Sequence, residues 1–277
     1  MLHSVPGDLI AFFVATFVGA LVAGVAGFAF GLIASAIWLH VITPAQSATL
    51  IAAFAILIQG ATLWNLRHAL QFSRLIPFLV GGAIGIPLGA AVLNWAAPAH
   101  MRAFIGLALI AFSLYSLIRP KLPTVNGGRA ADAIVGVLSG LFAGGSGLAG
   151  VPVIVWATLR RWSKDEQRAV FQPVAVVIFI MTLAWFGGNG LVTTDTLRLF
   201  VIGLPAVLIG TWLGLKLYGK LDEATFRAVV LVLLLISGLT LLPWPWMRGT
   251  RAASAISFTT SSTLYPPSSK QLAFAHP

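Results

Sequence analysis

Long stretches without a charged side chain constrain this chain more than any other feature of its sequence. Residues 9–66 contain no Asp, Glu, Lys or Arg. Further uncharged stretches cover 75–101, 103–118, 133–159, 169–194, 199–215 and 228–247. A transmembrane helix needs roughly 20 apolar residues, and the charged fraction here is 9%, where about 25% is usual in soluble domains. The sequence therefore predicts an all-α polytopic membrane protein, with no room for a soluble catalytic domain.

The excess of basic residues is interpreted as an orientation signal in a membrane. The chain has 17 Lys and Arg against 7 Asp and Glu, a net charge of +10, and no Cys. In so apolar a chain, this excess favours membrane orientation over nucleic-acid binding, and the missing cysteines exclude disulfides and thiolate metal sites. Residues 248–277, rich in Ser, Thr and Pro, are predicted to be a disordered tail.

Two parts of the sequence resemble each other, which predicts a duplicated membrane unit. Four blocks recur in the same order, with offsets that drift from 120 to 125 residues. The aligned blocks are 21–29 with 141–149, 46–64 with 167–185, 85–89 with 210–214, and 102–103 with 227–228. We interpret residues 8–118 and 130–242 as two repeats, with residues 119–129 as a cytoplasmic linker.

Each repeat is predicted to contain one long first segment and three ordinary spans. The ordinary spans are 45–66, 75–95 and 101–118 in the first half, and 168–188, 197–217 and 225–242 in the second. The first segments, 8–41 and 131–159, are too long for a simple span. Glycines interrupt both, at 24, 27 and 31 and at 144, 145, 147 and 150, and glycine permits the non-helical backbone of a break.

The Lys and Arg distribution indicates how the broken segments cross the membrane. If each crosses once, the two faces carry 8 and 8 basic residues up to Arg251; if each turns back at its glycines, they carry 12 and 4. The second arrangement obeys the positive-inside rule. It places loops 67–74, 119–129, 157–168 and 216–227 in the cytoplasm and both termini in the periplasm. The halves then have opposite orientations, and such inverted repeats are typical of transporters with a site near the midplane.

The glycine breaks are predicted to face an internal cavity, because exposed backbone is not tolerated in lipid. A helix restarting near Phe28 and another near Leu148 would present free N–H groups and positive dipole ends, which suit an anion. No Asp or Glu lies deep in a predicted span, which argues against a cation site or a carboxylate proton relay. Neither a metal nor a cofactor is predicted. The candidate substrate-binding residues are Gly24, Gly27, Gly144, Gly145, Ser146, Gly147 and Gln172.

Several of these residues have a structural alternative. Ser146 is as consistent with close helix packing as with a ligand role. Gln172, beside Pro173 within a span, is the best polar candidate; Gln59, Asn65 and Asn189 are weaker. The spaced glycines at 81, 85 and 89 and at 210 and 214 favour helix packing.

Three motif matches fail on context. Residues 144–147 fit an intramembrane serine protease pattern, but the only later histidine is His276, in the predicted tail. Residues 145–150 fit a dinucleotide fingerprint, which requires a soluble βαβ unit. The five histidines, at 3, 40, 68, 100 and 276, show no metal-ligand spacing. An enzyme is therefore the least favoured class.

The two glycine-rich motifs resemble those of the sulfite exporter TauE/SafE family of membrane permeases. The similarity rests on residues 24–31 and 140–152, each opening one half, and on the blocks at Gly85 and Gly210, and it extends over 8–242. It implies transport of sulfite, sulfonates or related sulfur-containing organic anions across the bacterial inner membrane, without ATP hydrolysis in the same chain. The chain departs from the family pattern at Ala26 and Phe30, lacks a proline after the first motif, and has Ser146 in place of a glycine.

The sequence thus predicts an inner-membrane permease that passes a small anion, sulfite or an organosulfonate, by alternating access. Its expected partners are that anion and the lipid bilayer, with no nucleic acid and with a possible homo-oligomer. Two alternatives stay open: a permease for another small solute, and a non-transporting membrane protein that serves as an assembly partner. The anion, the direction of flux and the coupling ion are not fixed by the residues.

Overall fold

A computed structural model describes residues 6–26, 29–66, 72–118, 125, 127–217 and 223–242. The predicted tail, most of the predicted linker and Gly27 lie outside these residues. The described residues form ten helices: α1 Pro6–Ala26, α2 Phe30–Val41, α3 Pro44–Leu66, α4 Phe72–Trp95, α5 Pro98–Ile118, α6 Arg129–Ser146, α7 Gly150–Leu159, α8 Lys164–Gly188, α9 Thr194–Leu217 and α10 Glu223–Leu241.

Each of the six ordinary spans predicted from the sequence is a helix, namely α3, α4, α5, α8, α9 and α10, with ends within four residues of the predicted ones. Of these six, α4, α5, α8 and α9 contain a stretch long and apolar enough to cross a membrane, whereas the apolar parts of α3 and α10 are shorter. Proline at the first helical position, where its missing N–H costs nothing, begins α3 and α5. Five stretches of the described chain are long and apolar enough to cross a membrane by length and composition: Gly7–Val25, Ser73–Trp95, Pro98–Ile118, Ala169–Gly188 and Thr194–Leu217.

Both glycine-broken segments fold back on themselves, which confirms the hairpin interpretation. In the first hairpin, the Trp38 ring at the end of α2 stacks on Phe12 of α1, with centroids 5.0 Å apart, and its Nε1 donates to the Phe12 carbonyl over 3.3 Å. In the second, Trp156 Nε1 of α7 donates to Asp132 Oδ1 of α6 over 2.8 Å. The shorter arms, α2 and α7, have 12 and 10 residues. At 1.5 Å per residue they extend about 18 and 15 Å, too short to cross the roughly 30 Å core of a bilayer.

The breaks lie nearer the ends of the glycine clusters than predicted. Helix α1 continues through Gly24, and α6 continues through Gly144 and Gly145 to Ser146. The left-handed backbone falls at Ala29, with φ 81°, and at Gly147, with φ 76°. The prediction that Gly24, Gly144 and Gly145 interrupt their helices is therefore wrong. Glycine occurs both where a helix is interrupted and where two helices touch, and the sequence alone does not distinguish these two roles.

The two halves exchange helices, since α1 packs on α9 of the second half and α6 packs on α4 of the first. A Cβ atom added at Gly24 would lie 2.8 Å from the Thr211 carbonyl oxygen and 2.9 Å from the Gly214 Cα. One added at Gly144 would contact the Ile86 carbonyl and lie 2.8 Å from the Ala90 nitrogen. These contacts leave no room for a side chain, because the helix backbones touch directly.

The spaced glycines of α4 and of α9 contact residues that are aligned with each other in the two predicted repeats. These helix contacts confirm the packing role of the glycines. Gly85 and Gly89 face the carbonyls of Val137 and Leu141, whereas Gly210 and Gly214 face those of Phe17 and Leu21. The contacted residues are 120 positions apart, the offset found in the sequence. These contacts are consistent with the predicted duplication.

Equivalent helices also begin in the same way. Before α3, the Thr43 N–H donates to Gln46 Oε1 over 3.1 Å, and the Gln46 N–H donates to Thr43 Oγ1 over 3.2 Å. Before α8, Ser163 and Glu166 form the same reciprocal pair, over 3.0 and 3.2 Å. This capping box satisfies free N–H groups at a helix start, and it fixes the point at which the chain leaves each hairpin.

Candidate functional site

The two breaks meet in the interior of the protein, next to α3. A Cβ atom at Gly31, in the first turn of α2, would lie 3.2 Å from Leu148 Cδ2 and 3.6 Å from the Gly147 carbonyl oxygen. Gly147 in turn lies against α3, where a Cβ atom would be 3.0 Å from Ile51 Cβ and 3.1 Å from the Ala48 carbonyl oxygen. Segments about 120 residues apart in the sequence are thus in contact.

A small cavity of about 50 Å³ lies between the breaks. Both hairpins contribute to its wall, together with one face of α3 and two aromatic rings of α8. The described residues that line it are Ala23, 29–32, Ile51, Ala55, Ile58, Gln59, Gly147, Leu148, Gly150, Val151, Ile154, Phe171 and Phe179. A water molecule needs about 10–15 Å³ on this measure, so the cavity has room for a few waters or a small ion.

None of the described lining residues is charged, and Gln59 is the one polar side chain among them. Gln59 is 8% exposed, and its Oε1 has no hydrogen-bond partner. Because an unpartnered buried carbonyl costs free energy, this oxygen is available to a ligand that carries a proton. The wall is otherwise apolar, so the backbone must supply any further polar contact.

Two helix starts lie in the cavity wall, although the Val151 N–H of the second already donates to the Leu148 carbonyl over 3.3 Å. Phe30, Gly31 and Leu32 form the first turn of α2, and Gly150 and Val151 begin α7; all five residues line the cavity. The first N–H groups of a helix have no acceptor within it, and the positive end of the helix dipole lies there. Neither start has a capping side-chain hydrogen bond. The arrangement is suited to an anion without any fixed positive charge.

Of the predicted site residues, the structure places Gly147 in the cavity wall. Gly24 and Gly144 lie instead in the helix contacts with α9 and α4, and a Cβ at Gly145 would be 3.6 Å from the Gly89 carbonyl oxygen. These three residues, Ser146 and Gln172 are outside the described set that lines the cavity, and Gly27 is outside the described residues.

The two predicted polar ligands differ in their hydrogen bonding. Ser146 is buried, and its Oγ donates to the Phe142 carbonyl of its own helix over 2.8 Å, a structural bond. Gln172 is 1% exposed, and its Oε1 has no partner. It follows Phe171, which is in the wall, but Gln172 itself is not among the described lining residues. Pro173 has no N–H to donate to the preceding turn, so α8 is locally weakened at this level.

Sequence reasoning missed Ile51, Ala55 and Gln59 as wall residues. Gln59 is a polar residue within an uncharged stretch of 58 residues, and that signal could have selected it. Ile51 and Ala55 are ordinary apolar residues of a span, and nothing in the sequence distinguishes them. The part of the chain that the structure describes contains no group of three His, Cys, Asp or Glu that could hold a metal ion.

A helical multi-pass architecture with two broken hairpins around an internal cavity is typical of membrane transporters. A comparison with known families matches residues 11–241 to the family described as Sulfite exporter TauE/SafE. The chain belongs to this family of membrane transporters. No curated protein and no solved structure matches it.

Proposed function

We propose that the protein is a permease that passes a small anion, sulfite or an organosulfonate, across the bacterial inner membrane by alternating access. The single observation that carries this proposal is the meeting of the two breaks at one buried cavity, with two helix starts at its wall. Family membership supports the sulfur-containing substrate. The protein acts as a transporter and not as an enzyme.

The absence of charge around the cavity favours a singly charged substrate. Removing an ion from water has a Born cost that rises with the square of its charge, and a buried ion is tolerated only when it is compensated. Here the compensation comes from partial charges: helix-start N–H groups and the Gln59 carboxamide. Hydrogensulfite and simple alkanesulfonates carry one negative charge, whereas sulfate and sulfoacetate carry two and taurine, a zwitterion, has no net charge. We therefore expect sulfate to be excluded.

The direction of the packed helices supports opposite orientations of the two halves. Phe17 and Leu21 of α1 face Gly210 and Gly214 of α9 in the same order, so these helices run parallel. Helices α4 and α6 are parallel by the same argument, from the contacts of Gly85 and Gly89. If the chain reverses at each connection from α1 to α4, then α6 runs opposite to α1. An inverted pair of this kind can rock around a fixed site.

Flux through the purified chain tests the proposal. Liposomes that contain only this protein should release sulfite in a saturable way, and sulfate, taurine and sulfoacetate serve as parallel substrates, with and without a pH gradient. Selective flux of sulfite or a sulfonate is expected. Absence of flux for all of them, from protein shown to be folded, would contradict the proposal and favour the assembly-partner alternative.

Topology reporters test the inverted arrangement separately. Reporters inserted in the 67–74 and 216–227 loops should both lie in the cytoplasm, and both termini should lie in the periplasm. The inverted arrangement fails if the two loops are found on opposite sides of the membrane.

A further inference from the structure

A second cavity, of about 210 Å³, lies at the end of the α6–α7 hairpin that is remote from the break. Its wall includes Arg74 of α4, Arg129 and Asp132 of α6, and Arg160 and Trp162 after α7. Gly150, the first residue of α7, lines the central cavity, whereas Arg160 caps the other end of α7. A ten-residue helix is about 15 Å long, so the two cavities lie at opposite ends of this helix.

Aromatic rings and one ion pair hold the arginine side chains in place. Arg160 Nη1 donates to Asp132 Oδ1 over 3.1 Å. The Arg160 guanidinium lies 5.7 Å from the Trp156 ring centroid and 5.4 Å from that of Trp162. Arg74 lies 5.9 Å from the Trp162 centroid. Cation–π contacts of this kind fix the position of a charge without neutralising it.

The charges of the described residues around this cavity do not balance, since three guanidinium groups line it with one carboxylate. Asp132 is already bound to Arg160 and Trp156. Glu166 interacts electrostatically with Arg74, but it is exposed and accepts hydrogen bonds from Ser163. Gly128 caps α6 without a side-chain bond, so the positive end of that helix adds to the potential.

The predicted repeat has no such charges at the corresponding positions. At its offsets, Asp132 corresponds to Phe12 and Arg74 to Leu199, and both of those residues are buried in one apolar cluster to which α1 and α9 contribute. The positive-inside rule accounts for arginines on this face. It does not account for three of them around one cavity, two of which lie beside the Trp162 ring.

We propose that this cavity binds a small sulfur or phosphorus oxyanion, either free in solution or as the headgroup of an anionic lipid. The arginine fork matches the oxygens of such a group. Arg74 and Arg129 would bind it, since no ion-pair partner for either is found among the described residues, while Arg160 and Asp132 hold the wall together. The site is distinct from the central cavity and can hold a doubly charged anion.

Calorimetric titration of sulfate into the full-length protein in a neutral detergent tests the site, because the uncharged central cavity should reject this dianion. We expect saturable binding that the double variant Arg74→Gln/Arg129→Gln weakens at least tenfold. Arg198→Gln, which removes a 72%-exposed arginine beside Asp195, is the matched control and should bind like wild type. Equal sulfate binding by wild type and double variant would overturn the proposal. The proposal would also be overturned if the wild-type protein neither bound sulfate nor retained an anionic lipid.

The lipid arm of the experiment uses nanodiscs of phosphatidylcholine with and without phosphatidylglycerol. If a headgroup occupies the site, phosphatidylglycerol will compete with sulfate and will be retained by wild type but not by the double variant. If a soluble oxyanion is the ligand, phosphatidylglycerol will not change sulfate affinity. Either result supports the site. Because binding is measured without transport, failure of the flux experiment leaves this test intact.

Discussion

Gly147 combines a left-handed backbone with a place in the cavity wall, so its replacement should act on transport directly. In Gly147→Ala, the φ of 76° costs about 1–2 kcal/mol for an alanine, and the new methyl group lies 3.0 Å from Ile51 Cβ. We expect sulfite flux in liposomes to fall at least tenfold while the protein still inserts and folds.

Gly190 provides a matched control for that substitution. Its φ is 70°, but a Cβ there would meet nothing within 4 Å. Gly190→Ala therefore adds similar backbone strain without filling the cavity. We expect its sulfite flux to stay within about twofold of wild type, because strain of this size alone does not block the cavity. Equal losses in both variants would show that strain, and not the cavity, explains the effect at Gly147.

Single residues also show the limit of the sequence analysis. Gly24 and Gly147 stand in similar motifs, yet one lies within a helix contact and the other forms a break. Both positions exclude a side chain, so both select glycine. The difference depends on a partner, Gly214 for one and Ile51 for the other, that is remote in the sequence. Gln59, in contrast, could have been selected from the sequence, because a polar residue in a long uncharged stretch is costly.

At the scale of the elements, the capping box before α8 gives a prediction on stability. Ser163→Ala removes the hydroxyl that caps the helix and should lower the free energy of unfolding by about 1 kcal/mol. Ser163→Thr retains a capping hydroxyl and should lose little. Thermal unfolding in detergent at neutral pH would measure both effects. We expect a lower midpoint for the alanine variant and an unchanged midpoint for the threonine variant.

The pH dependence of this effect follows from Glu166. The hydrogen bonds from the Ser163 N–H and hydroxyl lower the pKa of Glu166 below its ordinary value of 4.5. A carboxylate with a lowered pKa stabilises the folded protein at pH values above its ordinary pKa. This stabilisation is lost as the pH falls through the pKa that the group has in the folded protein. The difference between wild type and Ser163→Ala should therefore shrink below pH 4.5. A difference that grows in acid would contradict this role of the carboxylate.

The ordinary spans could be predicted closely because local signals mark their ends. Prolines at 44 and 98 and the charged residues between spans limit each helix, and these signals act over a few residues. The breaks could be predicted only to within a few residues. Their position depends on contacts between the two hairpins, and Ala29, which has the left-handed backbone in the first hairpin, carries no signal for it.

For the whole molecule, the uncharged cavity predicts that sulfite is carried as hydrogensulfite. At equal pH on both sides and constant total sulfite, flux should fall as pH rises through the range in which hydrogensulfite loses its proton. The flux of methanesulfonate, whose single charge does not change, should stay constant. No charged group is found among the described lining residues, so the dependence belongs to the substrate. Sulfite flux that rises with pH would contradict the account.

The sequence predicts a duplication, but it does not predict the exchange of helices between the halves. Four short blocks predict the repeat, since they recur at nearly constant offsets. The pairing of α1 with α9 and of α6 with α4 is a long-range choice set by complementary glycine rows. A row of spaced glycines can pack against several different helices, so the sequence does not show which helix it contacts in the folded protein.

The central claim is that the cavity between the two breaks is part of the transport path. The chain has no cysteine, so Ala55→Cys places one thiol in the cavity wall. Ala52→Cys places one on the same helix, buried and outside the described lining set. Labelling of each variant by a membrane-impermeant anionic thiol reagent would be measured in oriented vesicles, from either side of the membrane.

Alternating access predicts that Cys at position 55 reacts from both sides and that Cys at position 52 reacts from neither. Reaction of position 55 from one side alone, or from neither side, would contradict the claim that the two breaks enclose a path through the membrane.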